Sequence, residues 1–138
     1  MINPNTPKGV IKRKKFIPGI AWFFLVLILV CLPGKELPNV NDWISKLYFD
    51  KWVHTGLFAV LAFLFTYPYL KSGLPILLKW QYLVKICIAT VIWGLATEVI
   101  QHFFIPGRSF DLFDWGADSL GALLALLYVR VRFFKNSP

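Results

Sequence analysis

Side chains able to do acid, base or hydrogen-bonding chemistry crowd into two short stretches of an otherwise apolar chain. Asp50 and His54 stand four residues apart, so a helix would carry both on one face. The run ATEVIQHFFIPGRSFDLFDWGADSLG, residues 96–121, adds Glu98, Gln101, His102, Arg108, Asp111, Asp114 and Asp118, including four of the seven acids in the chain. Glu98 and Gln101 are spaced i, i+3, and Asp111, Asp114 and Asp118 follow at i, i+3 and i+7, again one helix face each. An imidazole facing carboxylates can relay a proton or orient a polar ligand. One histidine with three carboxylates could also hold a hard divalent ion, but no spacing here is diagnostic of a metal. Neither metal nor cofactor is therefore expected, and no Ser or Cys nucleophile motif accompanies the cluster.

The elements that must position these groups are set by composition. With 57% hydrophobic and 17% aromatic residues in 138, the chain lacks the polar surface a soluble domain of this size needs. Nineteen uncharged residues run from Phe16 to Gly34, and nineteen more from Trp52 to Leu70. A bilayer is crossed by about 20 apolar residues in helical form. Two further segments, about 80–104 and 114–134, have the same length but carry acids at one end and Lys85, Arg130 and Arg132 at the other. The expected fold is all-α, an integral membrane four-helix bundle over residues 16–134. A basic tail (1–15) precedes it and a short tail (135–138) follows. Basic residues precede the first apolar run as in a signal peptide, yet its exit LVCLPGKELP has no small-x-small cleavage pattern, which favours an uncleaved anchor. Residues 42–50 suggest a short amphipathic helix before the second span.

Charge fixes an expected orientation. Eleven of the fifteen basic residues and no acid fall on one side, in the tails, the loop between spans two and three and the span ends that adjoin them. Basic residues stay cytoplasmic, so both termini are expected inside a multi-pass cell membrane protein. The positive segments then meet anionic lipid, and the net charge of +8 needs no nucleic-acid partner. Cys31 and Cys87 fall near opposite ends of different spans, beyond disulfide reach. The second outer loop is short enough to make spans three and four a tight outer hairpin. Stripes of small residues (Ala117, Gly121, Ala125; Thr90, Gly94, Glu98; Gly56, Ala59) offer close helix packing.

Depth along these helices brings His54, Glu98 and Asp118 to one level beneath the outer surface. Several neighbours have structural explanations of equal standing. Asp111 has the position of an N-cap for span four, and Asp114 suits its positive end. Arg108 could clamp the buried acids with a bidentate grip, His102 reads as interfacial, and Trp43, Trp52 and Trp115 fit an aromatic belt. Glu98 and Asp118 resist such accounts, because their short stems cannot reach the surface.

These residues resemble the VanZ-like family, small bacterial membrane proteins named after a teicoplanin-resistance factor. The likeness lies in DKWVHTGLF from Asp50, EVIQHFFIPGR from Glu98 and FDLFDWGADSLGALLA from Phe110, and it spans about residues 16–129. It implies a shared set comprising Asp50, Lys51, His54, Glu98, Gln101, Pro106, Gly107, Arg108, Asp114 and Gly121. At Asp118 the family usually has Asn, so this chain adds a carboxylate that must be protonated or balanced by Arg108 or His54.

The resemblance implies a cell-envelope factor that affects teicoplanin susceptibility. Its outward polar pocket would bind membrane lipid, a lipid-linked cell-wall precursor or a glycopeptide. An integral-membrane enzyme acting on a lipid-linked substrate by His/carboxylate chemistry, with or without metal assistance, is the alternative. A proton-coupled transporter suits the buried acids less well, since they line one side only. The orientation is testable in a background lacking Cys31 and Cys87. A membrane-impermeant thiol reagent should label Asn39→Cys and spare Gly73→Cys in intact cells; the reverse pattern would invert the topology.

Overall fold

The computed structural model describes residues 11–32 and 49–134. These form a 3₁₀ turn (Arg13–Phe16) and four α-helices: α1 (Ile17–Val30), α2 (Phe49–Leu70), α3 (Ile76–Phe104) and α4 (Leu112–Phe133). No strand occurs among the described residues. Residues 1–10 of the basic tail, the C-terminal tail, Trp43 and most of the expected amphipathic helix lie outside them; Asp50 itself belongs to the first turn of α2.

Three of the helices are long and apolar enough to cross a bilayer: α2, α3 and α4, of 22, 29 and 22 residues. That is the make-up of a multi-pass membrane protein. The expected first span is the exception. Its apolar run is helical over only 14 residues, roughly 21 Å against a hydrocarbon core of about 30 Å. Pro18 starts α1 in the first turn, where its missing N–H costs nothing. At the other end Leu32 precedes Pro33, which disfavours helical backbone at Leu32.

Packing is reversed relative to a soluble bundle. Leu120, Leu123, Leu124 and Leu127 of α4 point outward, while Asp114, Ala117, Asp118, Gly121, Ala122 and Ala125 point inward. Such an arrangement suits a solvent as apolar as leucine, where helices associate through small residues and hydrogen bonds. The Ala117–Gly121–Ala125 stripe is where α2 and α4 meet most closely. A Cβ on Gly121 would lie 2.3 Å from the Thr55 carbonyl oxygen and 2.9 Å from the Ala59 nitrogen. Beside this contact the Thr55 hydroxyl donates to the Ala117 carbonyl at 3.1 Å. Gly56, by contrast, is exposed and has open space where a Cβ would be, while Ala59 one turn later borders α4.

Side-chain hydrogen bonds to backbone carbonyls tie the remaining helices together. The Trp22 indole donates to Leu57 at 3.0 Å, and Val26 and Val30 pack on Phe58 and Leu61, which seats α1 on α2. The Trp115 indole donates to Val91 of α3 at 3.1 Å. Trp115 is thus a helix–helix tie rather than the belt residue its sequence position suggests, whereas Trp52 is exposed as a belt residue would be. Between α3 and α4 the chain reverses tightly. Pro106 and Gly107 (φ 79°) occupy the middle of a turn closed by the Arg108 N–H on the Ile105 carbonyl, the residue pattern of a type II turn.

The α2–α4 contact predicts asymmetric tolerance at two glycines. Gly121→Ala should lower stability by about 1–3 kcal/mol, because backbone rather than a movable side chain opposes the new methyl. Gly56→Ala should be neutral or slightly stabilising, since it gains helix propensity in open space. Thermal unfolding in detergent reads both; equal behaviour would contradict the close approach.

Candidate functional site

The start of α2, the end of α3 and the start of α4 lie together at one end of the bundle, and every ionisable residue expected at the site is on or next to them. Lys51 stands at the centre of an outer layer. Its ammonium donates to Asp111 Oδ2 at 2.7 Å and to Asp114 Oδ1, and lies 3.3 Å from Asp50 Oδ2. Asp50 is mostly exposed, Asp111 partly so, and Asp114 is buried.

Asp111 resolves the choice between cap and site by being both. Oδ1 accepts from the Phe113 N–H at 2.7 Å and caps α4, while Oδ2 takes the Lys51 proton donor. Its own N–H donates to Glu98 Oε2 at 3.0 Å, so one residue connects three helices. The Lys51 ammonium holds the Asp111 carboxyl below the usual carboxylate range; partial burial opposes this, and the Phe113 N–H reinforces it.

Beneath that layer lies a second, fully enclosed one. His54 Nδ1 sits 2.9 Å from Asp118 Oδ1, with Asp118 and Glu98 both 0% exposed. One potential ligand atom from each of His54, Glu98 and Asp118 lies within 4.8 Å of the others, as their matched helix depths predicted. The carboxylate at position 118 is therefore faced by His54. Gly94 makes room for it: a Cβ there would come 2.9 Å from Asp118 Cβ and 3.0 Å from Oδ2. Two carboxylate oxygens in this layer, Glu98 Oε1 and Asp118 Oδ2, are buried with no hydrogen-bond partner among the described residues.

Compared with family models, curated proteins and solved structures, the chain matches none. The site is therefore read from its own geometry.

Two expected members stand apart from the cluster. The Gln101 amide is buried but donates to the Val30 carbonyl at 2.8 Å, satisfying the C-terminal end of α1. Arg108 does not form the expected bidentate grip: no ion pair among the described residues includes it, and Lys51 fills the cationic role instead. The short turn explains this, since Arg108 sits on the loop beyond α3 while Lys51 projects from α2 between two acids. His102 is exposed and edges onto Phe103, as an interfacial residue would. Two apolar grooves, one lined by Ala59, Val60, Phe63, Leu124, Ala125 and Tyr128 and one between α1, α2 and α3, contain none of the ionisable residues.

Residue spacing alone did not reveal Lys51, which entered only through the resemblance, nor the roles of Gly94 and Thr55. A signal for Lys51 was present: it stands three residues before His54 and shares that helix face.

The ion-pair pattern predicts that Lys51→Ala is more damaging than Arg108→Ala. Stranding one partner of a buried pair costs about 3–5 kcal/mol, and the partial exposure of Lys51 and Asp111 places this loss toward or below the lower end. The sign with pH follows from Asp111. A carboxyl held low in the folded state contributes stability above its unfolded pKa and loses it as pH falls through the folded value. Wild type should therefore lose stability on acidification from about pH 7 toward pH 3, and Lys51→Ala should lose less, so the two converge. Melting curves in detergent across that range test it; a gap independent of pH would refute the charge explanation.

Proposed function

We propose that this chain is a VanZ-like protein of the bacterial cell membrane, with its polar site facing outward, and that the site receives the head group of a lipid-linked cell-wall precursor. The single observation carrying this reading is a layered polar site at one end of an apolar bundle. Asp50, Lys51 and Asp111 form its accessible rim, with His54, Glu98 and Asp118 enclosed behind them. Ionisable groups buried in membrane helices are costly and mark function by default. With Lys51 already shared by three acids, the rim carboxylates suit the hydroxyl and amide N–H donors of a sugar–peptide head group. The one-sided distribution of basic residues supports the orientation, and the motifs around Asp50, Glu98 and Phe110 support the family. Altered teicoplanin susceptibility is the expected cellular effect.

One observation favours a second reading, an integral-membrane enzyme acting on the same lipid-linked class. With its Nδ1 held by Asp118, His54 is oriented and keeps Nε2 for proton transfer, the arrangement of a positioned general base.

A deletion strain complemented with wild type, Glu98→Gln or His54→Gln tests both readings. Wild type should restore the profile of lipid-linked precursors and the teicoplanin response. Glu98→Gln should restore neither while reaching the membrane in normal amount. If His54→Gln restores binding-dependent susceptibility but leaves an unprocessed precursor, catalysis is the better description. Full restoration by both variants would remove the site from the function.

A further inference from the structure

The enclosed layer is short of positive charge. Two fully buried carboxylates, Glu98 and Asp118, face a single imidazole, so with both ionised at least one negative charge has no counter-charge among the described residues even when His54 is protonated. The nearby ammonium is already engaged: Lys51 is shared by Asp50, Asp111 and Asp114. No ion pair among the described residues brings lysine or arginine to Glu98 or Asp118. An unpaired carboxylate in such surroundings is strongly disfavoured, so a proton or a cation must neutralise it.

The unused atoms indicate what. Glu98 is fixed by the Asp111 N–H on Oε2, which leaves Oε1 buried and without a partner among the described residues. Asp118 is fixed by His54 on Oδ1, which leaves Oδ2 in the same condition. Each carboxylate therefore has one oxygen committed to orientation and one vacant, and ligand atoms of all three residues lie within 4.8 Å of each other. The Asp111 N–H is an outer contact of the kind that orients a metal ligand, and His54, with Nδ1 against Asp118, keeps Nε2 as its own donor.

We propose that His54, Glu98 and Asp118 bind one divalent cation of the Mn²⁺ or Zn²⁺ class. One nitrogen with two carboxylates is a mixed donor set that these ions accept, whereas Mg²⁺ favours oxygens and retained water. Three protein ligands leave coordination open for an oxygen of water or of a bound molecule. The cation also offsets the charge that Asp118 adds at this position. This goes beyond the lipid-linked-ligand reading and does not depend on it, since the cation is held whether or not a head group occupies the rim.

The test uses the full chain purified in detergent, stripped with a chelator, and titrated with Mn²⁺ (by electron paramagnetic resonance) and with Zn²⁺ (by calorimetry). One saturable equivalent per chain is expected, with a higher melting temperature when loaded. Glu98→Gln and Asp118→Asn should each weaken binding at least about 10–100-fold, the loss typical of perturbing even an outer-shell contact. His102→Gln, which removes the only other histidine, should bind as wild type does. Circular dichroism and gel filtration identify any variant that fails to fold, and the wild-type titration decides the matter regardless. Absence of saturable binding up to about 1 mM of either ion overturns the proposal. So does binding that survives both carboxylate variants or disappears in His102→Gln.

Discussion

A carboxylate inside a membrane bundle must be answered by a partner, and this requirement organises the molecule. Asp114, Asp118 and Glu98 are all buried, from helices whose other faces meet an apolar surrounding. Each is answered by a group from a different helix: Lys51 and His54 of α2 face the two aspartates of α4, and the backbone of Asp111 reaches Glu98 of α3. Stability and function consequently draw on the same contacts. The residues that would do chemistry are also among those that tie three helices together.

Close backbone approach is what lets the polar partners meet. Gly121 brings α4 against α2 at the level of Thr55 and Ala59, one turn below the His54–Asp118 pair, and Gly94 gives Asp118 the volume its carboxylate occupies. In lipid, where apolar burial between helices adds little, this fit and the hydrogen bonds it permits must carry most of the association. The leucines of α4 are then free to face outward, which explains why the buried positions of that helix read as small and acidic.

Much of this was legible in the sequence. Apolar length, with charge confined to the segment ends, locates α2, α3 and α4 to within a few residues, and helical depth places His54, Glu98 and Asp118 together. The failures have physical causes. Apolar length says nothing about where a proline will end a helix, so α1 was expected longer than it is. Arg108 was assigned the role that Lys51 performs, because a guanidinium in a loop looks suited to carboxylates and spacing cannot tell which cation lies between two helices. Spacing puts Gln101 on the Glu98 face and position puts Trp115 in an aromatic belt, yet each spends its N–H on a backbone carbonyl of a neighbouring helix.

The chain order of these partners has a consequence for biogenesis. The basic members, Lys51 and His54, lie on α2, and the acids they answer lie on a later hairpin closed by the Pro106–Gly107 turn. A ribosome therefore releases the bases first and the acids afterwards, already folded back on one another by a short reversal. When α4 follows, Asp114 and Asp118 can dock onto a helix already made instead of meeting lipid without a partner. Exchanging the order of α2 and the hairpin would keep every contact of the finished protein and remove that protection during synthesis.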